Sequence, residues 1–186
     1  MAIIKLNKDG YGQIEINNCA FRRDGRIEAQ CKLDPVEFKV GGEKAENGML
    51  LGVDNVSRTC HKATAKDVLV GIHYSTERVY EFGDIGLKKF ALEQGSFLPR
   101  IGFLAIADKF TTNTVCFDEA NFADEEALDE AFAGLAEAPL YATIASDGCG
   151  YWEIVKEKPE GICAVVTKKT TMPDGQKAVQ LQIVKA

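Results

Sequence analysis

The chain has 186 residues, is 46 % apolar and 27 % charged, and carries 28 acids against 22 bases for a net charge of −6. A chain of this size can bury a core without a metal or disulfide staple, and its acidic total argues against a nucleic-acid binder. No apolar run approaches the roughly 18 residues of a membrane helix, and the start, Met1-Ala-Ile-Ile-Lys5-Leu, lacks the apolar stretch and cleavage site of a signal peptide. Synthesis in a cytosol is therefore the expectation, with the six cysteines (Cys19, Cys31, Cys60, Cys116, Cys149, Cys163) mostly free thiols.

In chain order, Ile3 to Leu6 and Gln13 to Ile16 read as short strands around an Asp9-Gly10-Tyr11-Gly12 turn. After Asp24-Gly25, the residues Ile27, Ala29, Cys31 and Leu33 alternate with polar neighbours, the mark of a half-buried strand that Pro35 stops. Glu37 to Val40 reads as a brief return strand, and a loop closes on Asn47-Gly48 before the apolar run Met49 to Val53. Val68 to Ile72 suits a strand covered on both faces, and Leu87, Phe90 and Ala91 share the spacing of one helical turn within Gly83 to Gln94. Phe103 to Ala107 and Thr111 to Phe117 read as two strands joined by Asp108-Lys109.

The charge is concentrated next. Asp118 to Glu137 holds eight acids and no Lys or Arg, so the remainder sums to +2. This segment alone has convincing helical periodicity, from about Phe122 to Ala136, with Asn121 as N-cap and Leu128, Ala131, Phe132 and Leu135 as its apolar stripe. Leu140 to Ala145 and Trp152 to Val155 follow around a glycine-rich turn. The last hairpin, Ile162 to Thr170 and Ala178 to Val184, closes on Met172-Pro173-Asp174-Gly175. The expected fold is mainly β, a sandwich or barrel at the margin of α+β, with one acidic amphipathic helix near 121–136. Residues 1–186 read as a single β-rich domain without internal repeats, and 1–46 as an extended arm or small subdomain in the alternative.

The chemistry-bearing residues form no recognisable site. The cysteines lack the Cys-x-x-Cys spacing that local zinc binding uses, and the adjacent Cys60 and His61 would face opposite sides of a strand. Cys60 or Cys116 with His73 is the one nucleophile pairing available, and no motif surrounds it. Glycines give no nucleotide fingerprint and the acids no calcium loop. No catalytic residue, metal or cofactor is expected. Two segments read as interface material. Phe21-Arg22-Arg23-Asp24-Gly25-Arg26 puts an aromatic and three forked cations on a turn, and Phe97-Leu98-Pro99-Arg100-Ile101-Gly102-Phe103 is an apolar, proline-interrupted loop.

Several strings resemble a family of tailed-phage and prophage head structural proteins. They are Ala20 to Gln30, Glu46 to Asp54, Gly71 to Glu77, Phe97 to Phe103, Asp108 to Val115 and Thr171 to Gln176. The resemblance implies a capsid decoration (cement) protein, β-rich and non-enzymatic, that binds the outside of the shell and stabilises it. It would be synthesised in the bacterial host cytoplasm and carried on the virion exterior. Its partners would be the major capsid protein and copies of itself, with no nucleic acid and no membrane, through Phe21, Arg22, Arg23, Arg26, Phe97, Pro99 and Arg100. The alternatives are a tail tube or head-tail connector component and, from another class, a small cytosolic thiol-dependent enzyme.

Overall fold

A computed structural model describes residues 3–15, 29–75, 80–81, 84–85, 91–95 and 98–186. The first strands are β1 (Ile3–Lys5), β2 (Ala29–Gln30), β3 (Lys32–Leu33), β4 (Ala45–Glu46), β5 (Leu50–Asp54), β6 (Thr59–Lys62) and β7 (Val70–His73). Then come β8 (Tyr80–Glu81), β9 (Asp84–Ile85), β10 (Ala91–Leu92), β11 (Arg100–Phe103), β12 (Lys109–Thr112) and β13 (Val115–Asp118). Helix α1 (Glu125–Ala133) precedes β14 (Tyr141–Ile144), β15 (Trp152–Val155), β16 (Cys163–Thr171) and β17 (Lys177–Lys185). Among the described residues the chain is mainly β with one helix, as the sequence predicts.

The two large sheets share one plan. In the first, the strand order is β2-β11-β7-β5-β6-β3. Because β2 and β3 are separated only by Cys31, one bent segment pairs with both edges of its own sheet, antiparallel to β11 and parallel to β6. The sheet thus curls into a ring of five strands. The second sheet does the same. Its bent segment is β12 and β13, separated by Asn113 and Thr114, which pairs antiparallel with β17 and parallel with β15. Numbering strands within each ring, both read 1-3-2-4-5 and return to 1, with the 1–3 pair parallel and every other pair antiparallel. Closing a sheet in this way removes the exposed edges that a flat sheet would offer for aggregation.

One local signature marks the repeat. Each bent segment ends in an apolar residue, an aspartate and, four residues after the aspartate, a phenylalanine: Leu33-Asp34 with Phe38, and Phe117-Asp118 with Phe122. Phe38 N–H donates to Asp34 O at 3.0 Å, and Phe122 N–H to Asp118 O at 3.0 Å. The carboxylates accept from the N–H two residues on, Asp34 from Val36 at 2.7 Å and Asp118 from Ala120 at 3.1 Å. Both phenylalanines are buried. The turn folds each ring back from its bent segment and drives an aromatic anchor inward. The expectation of no internal repeat is therefore corrected: the repeat lies in topology and in these few residues.

Alternation along β5 and β7 joins the rings. Leu51 and Val53 turn into the first ring's core with Leu33, Phe38, Cys60 and Ile101. Leu50, Val70 and Ile72 turn the other way, into a core continuous with Phe110, Phe117, Trp152 and Ile154 of the second ring. Gly48, at φ +90°, lets the first ring's backbone pass over Thr112 and Thr114, whose hydroxyls a Cβ there would overlap. The N-terminal segment lies along the second ring: β1 pairs with β13, and Ile14 with Thr112.

The helix starts later than predicted. Asp118 O accepts from both Asn121 and Phe122, so that stretch is a turn, and Asp124 caps the helix through Ala127 N–H at 2.8 Å. The predicted apolar stripe is present, Leu128 and Phe132 buried and Ala131 and Leu135 packed against the core. Glu37 to Val40 forms turns instead of a strand, because the Asp34 cap bends the chain there. Ala91–Leu92 is a strand on β4 and not part of a helical turn; Leu87 and Phe90 lie outside the described residues. Leu104 to Asp108 is a turn, closed by Ala105 N–H on Asp108 Oδ2 at 2.8 Å, so β11 and β12 belong to different rings and do not form a hairpin.

Candidate interaction surface

Four large aliphatic side chains are exposed at one end of the first ring. Val56 is 95 % exposed, Val68 96 %, Ile106 69 % and Leu69 38 %. Register explains their meeting at this end. Asp54 pairs with Thr59, so Val56 tops the β5–β6 turn. Val53 N–H donates to Leu69 O, which sets Val68 and Leu69 beside that turn at the entrance to β7. Phe103 pairs with Gly71, so the chain leaving β11 passes the same end with Ile106. Two turns here contain non-glycine residues in the left-handed region, Arg58 at φ 57° and Ala107 at φ 75°. Such conformations cost about 1 kcal/mol or more and concentrate at functional sites.

The charges at this end favour an acidic partner. Arg58, Lys66 and Lys109 are exposed and make no ion pair among the described residues. The nearby acids are engaged locally. Asp54 accepts from Val56 N–H, Ser57 N–H and Ser57 Oγ, while Asp67 accepts from Thr64 and meets His61 Nε2 at 2.9 Å.

The second ring provides an internal comparison. At its equivalent positions the 2–3 turn exposes Ser146 and Asp147, the lead into strand 4 exposes Lys156, Glu157, Lys158 and Glu160, and strand 5 ends in Val184 and Lys185. One topology therefore tolerates a polar end, and the aliphatic end of the first ring is not a requirement of folding. Single exposed apolar residues are ordinary, whereas a cluster at one end marks a contact surface.

Of the sequence-predicted interface residues, Phe21, Arg22, Arg23, Arg26 and Phe97 lie outside the described residues. Pro99 is buried and Arg100 is exposed at the start of β11. Leu98, 49 % exposed, lines two adjoining hollows of about 240 and 430 Å³ that share Lys32. The aliphatic end was missed because Val56, Val68 and Ile106 each stand alone in sequence; long-range pairing assembles them.

The thiol-enzyme alternative meets specific obstacles. His73 is fully buried, its Nδ1–H donating to Glu46 O at 2.9 Å and its Nε2 accepting from Ser75 Oγ at 2.8 Å. Ser75 Oγ also accepts from Arg100 N–H at 3.0 Å, so the histidine–serine contact pins three strands inside the protein. Contact with Cys31, and then burial, pushes the Cys60 thiol up; contact with Cys149, and then burial, does the same to Cys116. An activated nucleophile needs the opposite shift. Among the described residues no group of three or more His, Cys, Asp or Glu is placed to hold a metal ion. No described helix is long and apolar enough to cross a membrane. Comparison with protein-family models, curated proteins and solved structures finds no match for this chain.

Proposed function

We propose that this chain is a non-enzymatic structural protein of a tailed-phage virion, bound outside the capsid shell as a decoration protein. Its docking surface is the Val56, Val68, Leu69 and Ile106 end of the first ring. The observation that carries the reading is the inequality of two equivalent ends in rings of one topology: the first ring's is aliphatic, cationic at its rim and backbone-strained, and the second ring's is mostly polar. Burying that end against a partner removes apolar surface worth about 25 cal/mol per Å². The exposed cations Arg58, Lys66 and Lys109 select a partner whose contact patch is apolar with acidic edges. The resemblance of six strings to phage head proteins supplies the partner, the major capsid protein, with neighbouring copies of this chain on the particle exterior.

Electron cryomicroscopy of particles assembled with and without this chain tests the reading. Added density at many symmetry-related sites on the shell, contacted through the first ring's aliphatic end, is the expected result. Density confined to the tail or the head-tail junction favours the connector or tail-tube reading, and particles lacking this chain altogether overturn the virion assignment.

A further inference from the structure

A pair of thiols is set across the second ring, away from the aliphatic end. Cys116 lies on β13 opposite Glu153, is fully buried, and donates through Sγ to Trp152 O at 3.6 Å. Cys149 lies on the turn between β14 and β15, half-buried, with its N–H on Asp147 Oδ1 at 2.9 Å. The turn is drawn back over the bent segment by Ala145 N–H on Tyr151 O and Ser146 N–H on Glu153 Oε2. Cys149 packs against the small cluster of Met49, Cys116, Ala145 and Tyr151, which brings the two thiols into one cluster. One sulfur is thus reachable from solvent and the other waits behind it. Cys31 and Cys60 share the first ring's core at 3 % and 0 % exposure, with Cys31 at the floor of a surface hollow, whereas Cys149 is itself half-buried.

We propose that Cys116 and Cys149 are an oxidation site that closes to a disulfide on the folded protein when it meets a low-molecular-weight disulfide such as oxidised glutathione. The Cys149 thiolate attacks one glutathione sulfur, forming a mixed disulfide and releasing the first glutathione, which takes up a proton. With the Cys149 thiol consumed in the mixed disulfide, the contact that raised the Cys116 thiol is gone, and the Cys116 sulfur attacks the Cys149 sulfur, losing its own proton and expelling the second glutathione as a thiol. Two protein thiols are oxidised and one glutathione disulfide is reduced to two thiols, so electrons and protons balance. The new bond closes a covalent loop around α1 and β14. A protein made in a reducing cytosol would thereby gain a crosslink on reaching an oxidising exterior. This inference rests on the thiol geometry and stands apart from the docking surface.

The test exposes the reduced, folded chain to oxidised glutathione, blocks remaining thiols and digests after the acids between Glu119 and Asp147. Peptides holding Cys116 and Cys149 should be joined by a disulfide, and the melting temperature should rise by about 5 °C or more. Cys149→Ser, at a half-exposed turn position, should keep the reduced melting temperature and lose both the joined peptide and the shift. Cys163→Ser, a control remote from the pair, should keep both. Alkylation of Cys116 and Cys149 as separate free thiols after native oxidation would overturn the proposal. So would formation of the joined peptide only when the chain is first unfolded.

Discussion

His73 shows what one buried titratable side chain contributes. Burial pulls its pKa down from 6.5 to about 4, opposed only by the hydrogen bond to Glu46 O. The folded chain therefore favours the neutral ring. Above pH 6.5 the ring is neutral in both states and its stabilisation is complete. As pH falls from 6.5 toward 4, the unfolded chain takes up the proton first and stability declines, by about 3 kcal/mol at most, then levels off. Denaturant unfolding at pH 7 and pH 4.5 should show this decline in the wild type and a shallower one in His73→Gln, whose amide can donate to Glu46 O and accept from Ser75. Equal declines would place the pH sensitivity elsewhere. Ser75→Ala should cost about 1–3 kcal/mol, because it leaves His73 Nε2 and the Arg100 N–H without their partner.

Helix α1 and the two aspartate turns set the element scale. The run of acids has no cation within its own segment, yet the last hairpin supplies two. Lys169 Nζ meets Asp129 Oδ1 at 2.6 Å, and Lys177 binds Glu125 and lies 3.7 Å from Asp129 Oδ2. Glu126 and Glu130, each one residue further round the helix, are exposed. Exchanging both for Gln should change stability by less than about 0.5 kcal/mol. Asp124→Ala should cost about 1 kcal/mol through the lost cap, and Leu128→Ala about 2–5 kcal/mol through the core. Thermal unfolding of the three variants checks the order.

Much at this scale was legible. Trp152–Val155 matches its expected bounds, and the closing hairpin turns where Pro173 and Gly175 require, Gly175 at φ +88°. The helix start was not legible, since Asn121 and Asp124 are both good caps and only the Asp118 turn decides between them. Phe38→Ala and Phe122→Ala should each cost about 3–5 kcal/mol if both turns anchor their rings in the same way. A loss below 1 kcal/mol at either site would break the equivalence.

At the scale of the whole molecule, two rings of one topology share a continuous core, yet present different ends to solvent. Ring closure left no local trace, because Cys31 and Asn113-Thr114 look like ordinary residues within strands. Their importance comes from pairing with strands up to about 70 residues away, Lys109 with Gln182 and Arg100 with Gln30. The proposed docking surface was illegible for the same reason, and the predicted arginine turn lies outside the described residues. On the proposed function, the aliphatic end of the first ring holds this protein to a capsid shell. The most direct measurement is co-sedimentation of expanded, undecorated shells of the major capsid protein with wild-type chain and with Val56→Ser/Val68→Ser/Ile106→Ser. These side chains are 95 %, 96 % and 69 % exposed, so the variant should melt within a few degrees of the wild type. If that end docks, wild-type chain sediments with the shells and the variant's affinity falls at least about tenfold, since each buried aliphatic contributes about 1 kcal/mol or more. Equal binding by the folded variant, or no binding by the wild type, would contradict it.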